Sequence, residues 1–236
     1  MPYRTLDKDR ITTTAARLEK RIGERFPEAG LRKVAQEVVG LAGDIGDRTE
    51  KLQRPVLWLR AVILAAIIAA ASIFTLVGTF LSFERISTGA FDFVQGLESF
   101  LNTAVFAGAG FYTLVTLEER FKRRSALRGL HELRSVIHII DMHQLTKDPA
   151  VLHRGFMPTL SSPARTLTAP ELVRYLDYCS ELLSITGKLA ALYAQALNDD
   201  VIVNAVNDIE TLGTNLSRKI WQKIMLIDED RPRGAA

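Results

Sequence analysis

All four histidines of this chain fall within one stretch, HELRSVIHIIDMHQLTKDPAVLH, residues 131–153. Imidazole together with carboxylate is the donor set of zinc, iron and manganese sites. On a helix, His131, Arg134, His138 and Asp141 follow one another at intervals of three, four and three residues and share a face. His138 and Asp141 stand one turn apart, close enough to touch or to hold a common ion. A transition-metal site would therefore use His138, Asp141 and His131, completed by an acid from another helix. The competing expectation is a polar network between helices, with His138 bonded to Asp141 and Arg134 paired to a neighbouring acid. The spacing favours the network, because no fixed zinc motif such as HExxH occurs. His143 belongs to a different helix face, and His153 follows Pro149 in a loop.

Other reactive chemistry is sparse. There is no Walker A loop, no GxGxxG, no GxSxG and no kinase motif set. The single cysteine, Cys179, lies in an apolar helical seam and is expected to pack rather than attack. It also cannot form an intramolecular disulfide, which fits a reducing compartment. A net charge of +3 is too small to argue for a nucleic-acid partner.

The elements that would position these residues are all helical. Hydrophobic residues make up 47% of the chain but are unevenly placed. Residues 61–83, AVILAAIIAAASIFTLVGTFLSF, contain no ionisable side chain. At about 1.5 Å per residue this stretch reaches roughly 34 Å, enough for a hydrocarbon core of about 30 Å. Residues 99–117, SFLNTAVFAGAGFYTLVTL, form a second uncharged run that is just long enough. The expectation is a transmembrane hairpin over residues 55–117, with spans at about 57–83 and 97–117. Trp58 and Arg60 suit an interfacial position at its start. No cleavable signal peptide is expected ahead of it.

Charge sets the expected orientation. Residues 1–54 carry twelve Lys/Arg against nine Asp/Glu, and Arg120, Lys122, Arg123, Arg124 and Arg128 follow the second run. The connector holds Arg85 against Glu84, Asp92 and Glu98. The positive-inside rule then places both termini in the cytoplasm of a cell that inserts the chain in its inner membrane.

The flanking regions read as all-α. Residues 1–54 should hold two helices, from about 13 to 25 and from about 31 to 53, with stripes Ile11-Ala15-Leu18-Ile22-Phe26 and Leu31-Val34-Val38-Leu41-Ile45. Gly40, Gly43 and Gly46 recur every three residues, either for close packing or as a weak point. Residues 118–226 form the C-terminal helical domain. Its first helix continues from the membrane to about Leu145, carrying Leu127, Leu130, Leu133, Ile137 and Ile140. An extended loop covers 146–168. Thr168-Ala-Pro-Glu171 matches a capping box that opens the next helix. Leu172, Leu176, Cys179, Leu183, Thr186, Ala190, Tyr193 and Leu197 then follow the spacing of a coiled-coil seam. A turn at Asn198-Asp-Asp200 returns the chain antiparallel along residues 201–226, and 227–236 is expected to be a disordered tail.

The layout resembles small bacterial two-span effector and regulatory proteins, an analogy of architecture that assigns no residue. The leading expectation is a non-enzymatic membrane protein whose cytoplasmic helical domain mediates self-association or binds a cytoplasmic protein partner. Its partners are then the lipid bilayer and further copies of itself. The second expectation is an oligomeric two-span channel or pore-forming effector lined by Asn102, with Glu98 at its outer mouth. The third is a membrane-tethered metalloprotein built on the histidine helix.

Overall fold

The computed structural model describes residues 4–80, 90–152, 155–162 and 167–229. Among these the regular structure is helical, with no strand. Six α-helices follow in order: α1 (Lys8–Arg25), α2 (Gly30–Gln53), α3 (Leu57–Phe80), α4 (Ala90–Leu145), α5 (Ala169–Ala196) and α6 (Asp200–Glu229), with a 3₁₀ turn at Pro149–Leu152. The chain divides into two compact units, residues 1–53 with 125–236, and residues 54–124.

In the first unit, local chemistry fixes the helix ends. Asp7 caps α1 by accepting from the amides of Asp9 (2.9 Å) and Arg10 (3.2 Å), so α1 starts a turn and a half before the expected position. It ends before Pro27, which disfavours helical geometry in the residue ahead of it. At the start of α5, Glu171 Oε2 accepts the Thr168 amide at 2.8 Å and the Thr168 hydroxyl at 2.7 Å, completing the expected capping box. Asp199 Oδ1 accepts from Val201 and Ile202 and opens α6. That helix runs on to Glu229, so residues 227–229 are helical where a disordered tail was expected, and residues 230–236 lie outside the described residues.

The periodic stripes meet in one core. Ile11, Ala15, Leu18, Ile22 and Phe26 of the α1 segment join Leu31, Val34, Val38 and Ile45 of α2. They pack with Leu130, Leu133, Ile137 and Ile140 of α4. Helix α5 lies at the centre, touching α1, α2 and α6. Its buried set takes in Leu172, Leu176, Cys179, Leu183, Thr186, Ala190 and Tyr193 together with Tyr175, Tyr178, Leu182, Ile185, Leu189 and Leu192. The seam expected to meet another chain is therefore occupied within this one. Covering a single Leu or Ile contributes about 1.5–3 kcal/mol, so the bundle takes first claim on those side chains.

Two glycines show different needs. A Cβ on Gly129 of α4 would fall 1.9 Å from Tyr193 Oη and 2.6 Å from its Cζ, so only glycine lets the phenol lie against this backbone. Gly40 and Gly43 face open space, whereas Gly46 meets the Lys8 side chain. Within the described residues, the glycine repeat of α2 therefore meets a neighbouring helix at Gly46 alone, through Lys8 of α1.

The second unit contains α3 and the first part of α4. Leu57, Trp58, Val62, Leu64, Ile68, Ile73 and Leu76 are exposed along α3, as are Leu101, Val105, Phe106, Phe111 and Tyr112 along α4. By length and composition, one helical stretch among the described residues, Gly30–Ile73, which takes in most of α3, is able to cross a membrane. The window that qualifies has a mean hydropathy of 2.4 and is 6% buried, unlike a soluble core helix. The second expected span, within α4, is not singled out by that criterion among the described residues. The connector at 81–89 lies outside the described residues.

Candidate functional site

The histidine face of α4 does not assemble as a ligand set. His131 and His138 are exposed and Asp141 is half-buried. Asp141 Oδ1 accepts a hydrogen bond from Gln144 Nε2 at 2.6 Å, not from His138. Among the described residues no three His, Cys, Asp or Glu side chains come together to hold a metal. Arg134 is exposed and forms no ion pair among them. His153 lies outside the described residues.

A polar network does exist at this end of α4, built from residues the spacing argument overlooked. Lys223 of α6 donates to the Gln144 carbonyl (2.9 Å), to Gln144 Oε1 (2.8 Å) and to the Lys147 carbonyl (3.4 Å). An ammonium group supplied by one helix thus closes the C-terminal carbonyls of another, where the helix dipole favours positive charge. Burial holds the Lys223 pKa below its ordinary value. The signal was present in the sequence: Lys223 interrupts the apolar stripe Ile220, Ile224 and Ile227. Cys179 is buried in the same region, and burial pushes its thiol up to about 12. It is a packing residue in this setting, since the nucleophilic form is the thiolate.

Arg48, read from sequence as part of the basic flank, turns inward. Its Nη1 donates to Glu132 Oε2 at 2.7 Å and links α2 to α4. The buried Tyr193 hydroxyl lies within reach of its charge but has no well-formed hydrogen bond, and burial raises its pKa. On the opposite side of the bundle Arg21 pairs with Glu181 of α5.

In the second unit the charged centre is Glu118. Its Oε1 accepts from the Val56 amide (3.2 Å) and pairs with Lys122 (3.0 Å), while Oε2 accepts from Arg60 Nε (2.8 Å). One carboxylate thereby caps the start of α3 and ties it to α4. The Arg60 hydrogen bond is the main cause holding the carboxyl at about 2. Beyond it, Arg60, Ile63, Leu64, Ile67 and Glu118 line an open groove of about 450 Å³. The two expected pore residues, Glu98 and Asn102, lie one turn apart on α4 and are exposed. Gly108 and Gly110 also face open space, so α3 does not close against them.

No family model, no curated protein and no solved structure matches this chain.

Proposed function

We propose that the chain is a non-enzymatic integral membrane protein, held by a two-helix hairpin formed by α3 and the first part of α4. Its helical bundle faces the cytoplasm, and the protein works by self-association or by binding a partner. The observation that carries this reading is the apolar surface of the second unit. Ile68 is 57% exposed and Phe106 77% exposed, among fourteen other exposed large apolar side chains of this unit. Soluble monomers do not leave a continuous surface of this kind in water. Lipid supplies the missing contacts for most of it. The open small residues Ala104, Gly108 and Gly110 suit a helix of a second copy, since small side chains allow close approach within a bilayer. The seam on α5 no longer supports self-association, because it is buried internally.

The test is the mass of the detergent-purified particle, with Gly108→Leu as the comparison. The expected result is an oligomer that Gly108→Leu shifts toward monomer without changing helix content, because a Cβ at Gly108 meets nothing among the described residues. A monomeric wild-type particle would end the self-association half of the reading. A second reading, an oligomeric pore, is favoured by the exposure of Glu98 and Asn102 on one face. It predicts cation conductance in reconstituted bilayers that Asn102→Leu abolishes, and silent bilayers would remove it.

A further inference from the structure

A cleft of about 500 Å³ opens in the bundle unit where the α1–α2 turn meets the end of α4 and the start of α5. Its lining includes Phe26, Tyr175 and Leu167, with Arg25, His143 and Lys147 as its basic groups and Glu28 as its acid. We infer that this cleft binds a small phosphorylated ligand that carries an aromatic ring.

The apolar wall is well defined. The Phe26 and Tyr175 rings meet edge to face, with centroids 5.5 Å apart and planes at 70°. Tyr175 is buried, and its ring is fixed from the far side by the core. Such a wall accepts a flat apolar group, and the volume falls in the range of small-molecule sites.

The cations distinguish the cleft from an ordinary surface depression. Elsewhere in the bundle three basic side chains that reach a neighbouring helix find carboxylates, Arg48 at Glu132, Arg21 at Glu181 and Lys8 at Glu50, and Lys223 finds the carbonyls at the end of α4. Around the cleft they do not. Lys147 Nζ rests 5.1 Å above the Tyr175 ring, and neither Lys147 nor Arg25 forms an ion pair among the described residues. Glu171, an acid whose charge acts with Arg25, is already committed to capping α5 through Thr168. The dipoles of α1 and α4 account for a cation at each helix end, but not for a cavity between them.

His143 completes the arrangement. Gly30 leaves the space its imidazole occupies: a Cβ there would fall 2.5 Å from His143 Cε1. Burial first, and the Lys147 charge second, keep the imidazole pKa below its ordinary value. A phosphate dianion placed among Arg25, Lys147 and His143 reverses the second influence and draws a proton onto the ring. Phosphate suits the site better than carboxylate, because two fixed cations and a third inducible one match a charge near −2.

The test uses the full chain in detergent, titrated calorimetrically with phenyl phosphate, inorganic phosphate and phenol. One phenyl phosphate per chain is expected, bound more tightly than either fragment. Arg25→Gln and Lys147→Gln should each weaken it by about tenfold. Lys33→Gln, an exposed charge outside the cleft, should leave it unchanged, and all three variants should keep the wild-type helix content. The His143 imidazole, followed by NMR, should titrate at higher pH once ligand is bound. Three results would overturn the inference: no saturable binding below about 10 mM, unchanged affinity in both cleft variants, or phenol binding as tightly as phenyl phosphate. Equal affinity for inorganic phosphate would overturn the part assigned to the rings.

Discussion

Helices α3 and α5 are both rich in apolar residues, yet they have opposite fates. Helix α5 carries Glu171, Arg174, Asp177, Glu181 and Lys188 and is nevertheless the most enclosed helix of the bundle, with thirteen buried residues. Helix α3 has one charge, Arg60, and leaves most of its described large side chains exposed, Leu59 being the buried one. Apolar content alone therefore does not decide burial. An amphipathic helix with charges on one edge is built to meet protein on the other. A helix apolar on every side has no edge for water, and its partners must come from outside the chain.

The sharpest way to break this contrast is to place a charge on α3. Ile68→Lys would be nearly neutral if Ile68 faced water, given its exposure. In lipid it should cost about 2.5–3.5 kcal/mol of insertion free energy, and the membrane-bound fraction should fall in carbonate-washed vesicles. A variant that is inserted and extracted as wild type would place α3 outside the bilayer.

Within the bundle, the matching test adds one methyl group. Gly129→Ala should destabilise the chain by about 1–3 kcal/mol, because the Tyr193 ring is fully enclosed and has nowhere to move. Denaturant melts of the bundle signal would show it. Adding Tyr193→Phe should recover part of the loss, since it removes the closest atom and a buried hydroxyl that lacks a good hydrogen bond. No recovery would mean that the crossing of α4 and α5 is not limited by this contact.

The smallest expected effect concerns the tie between α3 and α4. Glu118 is held at about 2, below the ordinary 4.5. A lowered carboxyl pKa stabilises the folded state above the ordinary value. That contribution fades as the pH drops from about 4.5 toward 2. Glu118→Gln should therefore lower thermal stability at pH 7 and leave a smaller difference from wild type near pH 3. A constant difference across that range would show that the carboxylate charge is not what joins the two helices.

Much of the fold could be read from residue spacing, because a helix records its buried face locally. The stripes through Leu18, Leu31, Leu133 and Leu176, the Thr168–Glu171 box and the long run of α4 all follow from side chains three or four residues apart. The start of α1 was legible too, in Asp7, whose acceptor comes three residues before the amide of Arg10. The charged contacts were harder to read. Arg48 could face headgroups or Glu132, and Asp141 could face His138 or Gln144, with the same local spacing in each case. Choosing between them needs the position of another helix 79 or 84 residues away along the chain, as the Lys223–Gln144 and Arg48–Glu132 bonds show.

Composition and periodicity by themselves determined that the described chain is helical, that one segment is long and apolar enough to cross a membrane, and where most helices begin and end. Those properties depend on neighbours within one or two turns. Only the tertiary structure decided that the α5 seam is consumed internally, that Lys223 closes the end of α4, and that Arg25, His143 and Lys147 share a cleft. Each of these is a meeting of side chains distant in sequence, and hydrophobic packing sets the partners by area and shape, which spacing along one helix does not specify.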